Sequence, residues 1–287
     1  MPPQLPTFAI IGAMKSGTST IAMMLDQHPD AYLVPNKEVY FFDREDVYAR
    51  GVDWYRERFQ DSSGQRAVGE ASPSYLFVPA AIERMLAVIP DAKLIAILRE
   101  PVSRAYSHFG HERFYARESR SFERAVDEEL SGAPNGGAPF WYVDRGRYLP
   151  QLLRVCERFP RAQLLVLLMD DLMRDPGGTA TEVFRFLGID ETFEPARHSE
   201  LVNPYRENRF PRAWRFMMKH RLWRRLGPLR EPVVRLFVRD DVRKPPLDPS
   251  VHHRLAAAFA EDNAALGAWL GRDLAGWSEE RSGAPGG

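Results

Sequence analysis

The sequence predicts an α/β fold: a central parallel sheet flanked by helices, with a P-loop-like, glycine-rich loop directly after the first strand. Continuous apolar, β-favouring runs occupy residues 7–11, 93–98 and 163–169. Helical patterns follow the first two runs and precede the third, over residues 20–27, 102–117 and 149–158. Buried strands that alternate with helices are typical of a parallel sheet covered on both faces.

The loop after the first strand has the residues expected of an anion-binding turn. Gly12 and Gly17 have the spacing of an ATP-binding loop, but Thr18 stands at the usual lysine position and the lysine is Lys15. This arrangement argues against a P-loop kinase. Successive backbone N–H groups and a helix N-terminus can surround a phosphate where glycine allows close approach. An ordinary glycine-rich turn is the alternative.

The second strand is followed by a basic residue and another helix. Arg99 comes directly after residues 93–98, and Ser107 lies one to two turns into the helix. In an open parallel sheet, ligands bind beyond the carboxyl ends of the strands, and a guanidinium matches the geometry of a phosphate. Arg99 and Ser107 are therefore candidates for a second phosphate site. A surface ion pair between Arg99 and Glu100 is the alternative.

A third candidate segment carries a carboxylate next to aromatic residues. Glu38 precedes the apolar run 39–42, and Asp43 follows it. Partial desolvation raises the proton affinity of a carboxylate and suits a general base. A solvated glutamate at the end of a strand is the alternative.

Composition excludes several classes of protein. The 287 residues are 44% hydrophobic, which is enough for a substantial core. Lys plus Arg equals Asp plus Glu at 39, so a binder of long nucleic acid is not expected. Cys156 is the single cysteine, and His108 and His111 lack further recognisable ligands, so we expect no disulfide and no metal site.

The termini and the basic region complete the expected domain organisation. We expect one domain over residues 1–287, flexible ends at 1–5 and 282–287, and a cytoplasmic protein without a signal peptide or transmembrane segment. The arginine-rich composition favours a bacterial source. Residues 206–230 combine nine basic residues with aromatic side chains and form a lid or insertion within 203–230, a packed surface helix or a peripheral membrane contact.

Together these segments resemble the sulfotransferases that use 3′-phosphoadenosine 5′-phosphosulfate (PAPS), in the branch of the heparan sulfate sulfotransferases and their bacterial relatives. The similarity extends over nearly the whole chain. It is carried by IIGAMKSGTSTIAMMLDQHP, LIAILREPVSRAYSHF, KEVYFFD, GVDWY, EASPSYL, RGRYLPQLLRVCERFP and PPLDPSVHHRLAAAF, which follow the order of the family.

The resemblance implies roles for individual residues. The loop would bind the 5′-phosphosulfate, with Lys15 at the oxygen that bridges sulfate and phosphate, and Arg99 and Ser107 would bind the 3′-phosphate. Glu38 would be the base. The resemblance also assigns Ser16, Gly17, Thr18 and Ser19 to the 5′-phosphate, and Tyr40 and Asp43 to the acceptor site. The rings of Trp141 and Tyr148 are candidates for stacking on the acceptor, and core packing is the equally good alternative for each.

The expected reaction is transfer of a sulfuryl group from PAPS to a hydroxyl, or less readily an amine, of a carbohydrate, glycolipid or glycosylated small molecule, without a metal. Ala71 stands where heparan-type enzymes have a lysine, and the late cofactor loop of the family has no clear counterpart before Pro245. The absence of that lysine disfavours heparan sulfate as the acceptor. A nucleotide-dependent kinase and a non-catalytic nucleotide-binding module are the alternatives.

Overall fold

The computed structural model describes residues 4–35, 38–132, 140–196 and 245–277, and between 197 and 244 only residues 207–210, 213, 214, 216, 217, 220, 222, 227, 233 and 236–239. The chain divides into two compact units, each made of two stretches of sequence. Unit 1 comprises Met1–Arg99 and Tyr148–Val202, and unit 2 comprises Glu100–Arg147 and Asn203–Gly287. The single domain over 1–287 stays a prediction.

Unit 1 contains a five-stranded parallel sheet in the order β2-β3-β1-β4-β5. The strands are β1 (Phe8–Gly12), β2 (Ala31–Leu33), β3 (Ala67–Ala71), β4 (Lys93–Leu98) and β5 (Leu164–Leu168). The central strand β1 separates the two sides of the sheet, because β3 pairs with one of its edges and β4 with the other. The predicted fold class is confirmed, and three of these strands were expected from their apolar runs.

The helices of unit 1 follow the strands and cover the sheet. They are α1 (Thr18–Asp26), α2 (Glu45–Tyr48), α3 (Val52–Glu57), α4 (Pro79–Val88), α7 (Tyr148–Cys156), α8 (Met169–Arg174) and α9 (Pro176–Leu187), with a 3₁₀ turn at Arg161–Gln163. Apolar side chains of α1 and α9, including Leu25 and Phe184, share one core with Ile10 and Ile95 of the sheet. Burial of these residues fixes the ends of the strands on which the site is built.

Strand β3 was not expected from the sequence, because four of the five residues of AVGEA disfavour strands, Gly69 and Glu70 among them. Gly69 is needed there for packing: a Cβ at this position would lie 2.5 Å from Cζ of Phe8 on the neighbouring strand. Glu70 is fully buried and has polar partners described below. The presence of Gly69 and Glu70 in a buried strand is therefore explained by contacts with residues that are distant in sequence.

The described residues of unit 2 form helices and a two-stranded antiparallel pair. It contains α5 (Pro101–Phe114), α6 (Phe122–Leu130), 3₁₀ turns at Asp144–Gly146 and Ala275–Trp277, α10 (Pro249–Leu270), and the strands β6 (Glu207–Asn208) and β7 (Val238–Arg239). The side chain of Glu100 accepts hydrogen bonds from the backbone N–H groups of Val102 and Ser103, each at 2.6 Å. Glu100 therefore caps α5, which stabilises the start of the helix.

Most of the basic region 206–230 lies outside the described residues, as do residues 1–3, 133–139 and 282–287. Within it, Trp214 is buried and its Nε1 donates to the carbonyl oxygen of Phe114 at 2.6 Å. Among the residues that the structure covers, no helix has the length and apolar character needed to cross a bilayer. The lid, the flexible ends, the cytoplasmic location and the bacterial source stay predictions.

Candidate active site

The loop between β1 and α1 is shaped by two glycines. A Cβ on Gly12 would lie 2.7 Å from Cβ of Leu76, so the backbone approaches its neighbour more closely than another residue allows. Gly17 has φ 98° at the start of α1, in the left-handed region that favours glycine. The backbone N–H of Ala13 donates to the carbonyl oxygen of Ile97 at 2.8 Å. The loop is therefore attached to the adjacent strand β4.

The loop can bind an anion. Ser16 is fully buried, and among the described residues its Oγ has no hydrogen-bond partner. Thr18 and Ser19 lie in the first turn of α1, where backbone N–H groups lack intrahelical partners and the helix dipole favours negative charge. Lys15 is half-buried and has φ 69°. The structure thus brings the predicted loop residues to one helix N-terminus.

Arg99 lies beside this loop. Its Nη1 donates to the carbonyl oxygen of Lys15 at 3.3 Å, so the two cationic residues come together at the carboxyl ends of adjacent strands. The carbonyl oxygen of Arg99 accepts a hydrogen bond from the Tyr148 hydroxyl at 2.7 Å. Tyr148 is 1% exposed, in agreement with core packing, the alternative given for this residue. Its buried contact supports the position of Arg99.

The segment 38–43 carries the predicted base and two predicted acceptor contacts. Glu38, Tyr40 and Asp43 are all half-buried. The Tyr40 hydroxyl donates to the Glu38 carboxylate, and the Ser74 hydroxyl donates to Asp43. Tyr40 has φ 56°, an uncommon conformation for a residue with a side chain. The structure thus brings Glu38 and Tyr40 into direct contact and connects Asp43 to the chain after β3.

Glu70, near the end of β3, is a polar residue whose role the sequence reasoning missed. Its carboxylate accepts hydrogen bonds from the hydroxyls of Tyr55 at 2.5 Å, Ser72 at 2.7 Å and Tyr75 at 3.0 Å, and from the backbone N–H of Val39 at 3.3 Å. Burial raises the pKa of Glu70 to about 7, although these hydrogen bonds oppose the shift. The available signal was a lone carboxylate among small and apolar residues in AVGEA, because a buried carboxylate requires partners.

Comparison with known proteins identifies the family. The family model described as "Sulfotransferase domain" matches residues 5–220. The chain belongs to the sulfotransferase family. The crystal structure of a sulfotransferase from Alicyclobacillus acidocaldarius is similar to it throughout, with 31% identity, a TM-score of 0.72, and coverage of 96% of this chain and 100% of that one.

Two curated sulfotransferases are similar over part of their length. Bifunctional heparan sulfate N-deacetylase/N-sulfotransferase 3 of Homo sapiens is 31% identical over 200 residues, which cover 65% of this chain and 22% of the relative. Heparan sulfate glucosamine 3-O-sulfotransferase 5 of Mus musculus is 31% identical over 189 residues, covering 65% of this chain and 54% of the relative. The chain therefore matches about half or less of these proteins.

Two predicted site residues lie in unit 2. Ser107 is half-buried on α5. Trp141 is 37% exposed and has φ 54°. Their roles toward the 3′-phosphate and the acceptor stay predictions.

The described part of the chain contains no group of three or more His, Cys, Asp or Glu residues placed to hold a metal ion. His108 is 2% exposed, and its Nε2 lies 3.5 Å from Oε1 of Glu112, one turn along α5. His108 is therefore part of the packed interior of unit 2.

Proposed function

We propose that this chain transfers a sulfuryl group from PAPS to a hydroxyl group of a carbohydrate, a glycolipid or a glycosylated small molecule. Membership of the sulfotransferase family supports the reaction class. The names of the relatives, which act on heparan sulfate, support a carbohydrate as part of the acceptor. The observation that carries the proposal is the anion-binding loop with Lys15, placed beside Arg99 at the ends of adjacent strands.

The chemistry of this loop fits PAPS. When bound, PAPS supplies the sulfuryl group and presents two anionic ends, a 5′-phosphosulfate and a 3′-phosphate. Ser16 offers a buried hydroxyl that has no partner among the described residues, and Gly17, Thr18 and Ser19 offer the N–H groups at the start of α1. Arg99 offers a guanidinium suited to the second phosphate. Each anionic end thus has donors of suitable charge.

Lys15 is assigned to the departing phosphate oxygen. Negative charge develops on that oxygen during transfer, and an ammonium group directed at it stabilises the transition state more than the ground state. The contact between its carbonyl oxygen and Arg99 holds the backbone of Lys15 in the loop. The lysine is therefore the main electrostatic contribution of the loop to the rate.

Glu38 is assigned as the base that accepts the proton of the acceptor hydroxyl as its oxygen attacks sulfur. The hydrogen bond from Tyr40 orients the Glu38 carboxylate. Positioned proton transfer of this kind contributes about 100- to 10,000-fold in rate. Asp43, held by Ser74, is proposed to contact the acceptor.

The acceptor is proposed to be uncharged near the reacting hydroxyl. Ala71, which stands where the heparan-type enzymes have a lysine, is fully buried at the end of β3. This position therefore offers neither a cation nor an accessible side chain to an anionic sugar. Neutral glycans, glycolipids and glycosylated metabolites are favoured over heparan sulfate.

The test is an assay with sulfur-labelled PAPS and a panel of neutral glycans, glycolipids, glycosylated small molecules and heparan sulfate. We expect labelled product with a neutral member of the panel and none with heparan sulfate. The same panel with ATP and magnesium separates the kinase alternative, for which phosphorylated product is the sign. Tight binding of PAPS without transfer to any acceptor would indicate a nucleotide-binding module and contradict the proposal.

A further inference from the structure

We propose that Glu70 is a positioning residue whose carboxylate anchors the backbone N–H groups of residues 39–42 and thereby holds Glu38 in place as the base. The inference rests on the proposed function of Glu38. Glu70 is assigned no contact with PAPS or with the acceptor. It acts through a set of hydrogen bonds that connect β3 with the segment 38–43.

Two of the four N–H groups, those of Val39 and Tyr40, are connected to Oε2 of the Glu70 carboxylate. The N–H of Val39 donates directly to this atom at 3.3 Å. The hydroxyl of Ser72 donates to the same atom at 2.7 Å and accepts from the N–H of Tyr40 at 3.3 Å. The Ser72 hydroxyl therefore connects the Glu70 carboxylate to the backbone of Tyr40, the next residue of the segment.

The other two N–H groups are reached through a tyrosine. The Tyr75 hydroxyl donates to both oxygens of Glu70, at 3.0 and 3.1 Å. The same hydroxyl oxygen accepts from the N–H groups of Phe41 at 3.0 Å and Phe42 at 3.4 Å. The buried Glu70 carboxylate is thus connected to four consecutive backbone N–H groups, those of residues 39–42, either directly or through one hydroxyl.

These partners are needed because the segment forms no helix or strand of its own. Phe41 and Phe42 are fully buried, so the folded protein would be destabilised if their N–H groups had no acceptor. Tyr40 has a left-handed φ of 56°, which persists only where the surroundings impose it. The anchor therefore determines the backbone path on which Glu38 and Asp43 are placed.

The anchor requires the ionised form of Glu70. A carboxylate offers about four lone-pair sites, and four groups donate to it here. A protonated carboxyl would add its own O–H among neighbours that already donate, so at least one hydroxyl would have to rotate away. The titratable groups that face Glu70 are Tyr55 of α3 and Tyr75 after β3. Burial raises the pKa of both well above the usual range, so they remain donors.

The two tyrosines provide a matched pair of variants. Tyr75→Phe and Tyr55→Phe each remove one buried hydroxyl that donates to Glu70 and retain the ring. Only the Tyr75 hydroxyl also accepts from the segment. The Tyr55 ring stacks on Phe41 with centroids 4.4 Å apart, and phenylalanine preserves that contact. A difference between the two variants in exchange or in kcat therefore reflects the loss of the hydrogen bonds from Phe41 and Phe42 to Tyr75, because both variants lose a buried hydroxyl.

The experiment measures amide hydrogen exchange of residues 39–42 together with kcat and KM for PAPS. In Tyr75→Phe we expect faster exchange at Phe41 and Phe42 and a fall of about 10- to 100-fold in kcat with KM nearly unchanged, because a small misplacement of a catalytic group is costly. Tyr55→Phe should retain slow exchange and stay within about threefold of the wild-type kcat. If Tyr75→Phe fails to fold, Ser72→Ala tests the same anchor through the N–H of Tyr40.

Equal exchange in the two tyrosine variants would overturn the anchor. Faster exchange in Tyr75→Phe with an unchanged kcat would overturn the positioning role. A wild-type protein that transfers no sulfuryl group to any acceptor would overturn the proposed function. In that case exchange, which needs no substrate, would still decide whether Glu70 anchors the segment.

Discussion

The loop 12–19 and the segment 38–43 carry the proposed chemistry of unit 1, and they are held by different means. In the loop, glycines fit close to neighbouring residues, and a backbone hydrogen bond joins Ala13 to β4. In the segment, most backbone N–H groups reach their partners through side chains of residues 70–75. The loop is attached mainly by its backbone, whereas the segment depends on one buried carboxylate.

This difference has consequences for how each region responds to change. Because the loop is attached by its backbone, substitution of Lys15 or Ser16 should not alter its shape. The effects of such variants on turnover and nucleotide affinity therefore measure the contribution of the side chain itself. The segment can be altered from a distance and by proton binding, because its anchor is Glu70. Four variants test the comparison, beginning with the largest expected effect.

Lys15→Ala should lower kcat by about 100- to 1000-fold, because the charge that the lysine meets develops during transfer. Affinity for the desulfated nucleotide should change much less, since the loop backbone remains. The measurement is kcat in the sulfur-transfer assay beside calorimetric nucleotide binding. Lys93→Ala is the control: it removes a lysine whose Nζ donates to the carbonyl oxygen of Phe186. Near-normal turnover of Lys15→Ala would exclude the assigned role.

Glu38→Gln should lower kcat by about 100-fold, at the lower end of the range for a positioned base. The nucleotide should bind with wild-type affinity, since Glu38 is assigned to the acceptor side. Steady-state kinetics with varied PAPS and then varied acceptor separate these effects. Glu83→Gln, which removes the charge from a surface ion pair with Arg158, serves as the control. Unaltered turnover in Glu38→Gln would move the base to another residue, with Asp43 the first to test.

The two regions also differ in how far the sequence predicts them. The loop was predicted because its signals are local: an apolar strand, two glycines at a fixed spacing and a helix directly after them. The anchor of the segment was not predicted, since it joins residues about 30 positions apart in sequence. Tyr148 illustrates the same limit, because its burial depends on tertiary packing around α7 that the residue type does not reveal.

Proton binding by Glu70 should also change stability with pH. Its pKa is about 7 in the folded protein, against an ordinary value of 4.5, so the folded state holds the proton more tightly than the unfolded chain. The contribution of Glu70 to the stability of the folded protein is fully present below about pH 4.5 and is lost as pH rises through about 7. The free energy of unfolding should therefore fall by roughly 2 to 3 kcal/mol between about pH 5 and about pH 8. Turnover should change in the opposite direction, because the anchor requires the carboxylate.

Denaturant unfolding of wild type and Glu70→Gln across this pH range measures the effect. The free energy of unfolding of the wild type, taken relative to Glu70→Gln, should fall as pH rises. Glu83→Gln should follow the wild type. Parallel curves for wild type and Glu70→Gln would show that Glu70 binds its proton equally well in both states, and its carboxylate would then be ionised throughout the working range.

Ser16→Ala should have the smallest effect and a characteristic pattern. Its Oγ is buried without a hydrogen-bond partner among the described residues, so its removal should leave the stability of the nucleotide-free protein unchanged or slightly higher. Affinity for the desulfated nucleotide should fall about tenfold, the value of one hydrogen bond to a charged group. Ser62→Ala should do the reverse, because the Ser62 hydroxyl donates to the carbonyl oxygen of Phe59 at 2.7 Å. Thermal unfolding with and without nucleotide distinguishes the two variants. If Ser16→Ala lost stability without losing affinity, its hydroxyl would serve the fold, and the loop would bind phosphate through its backbone and Lys15 alone.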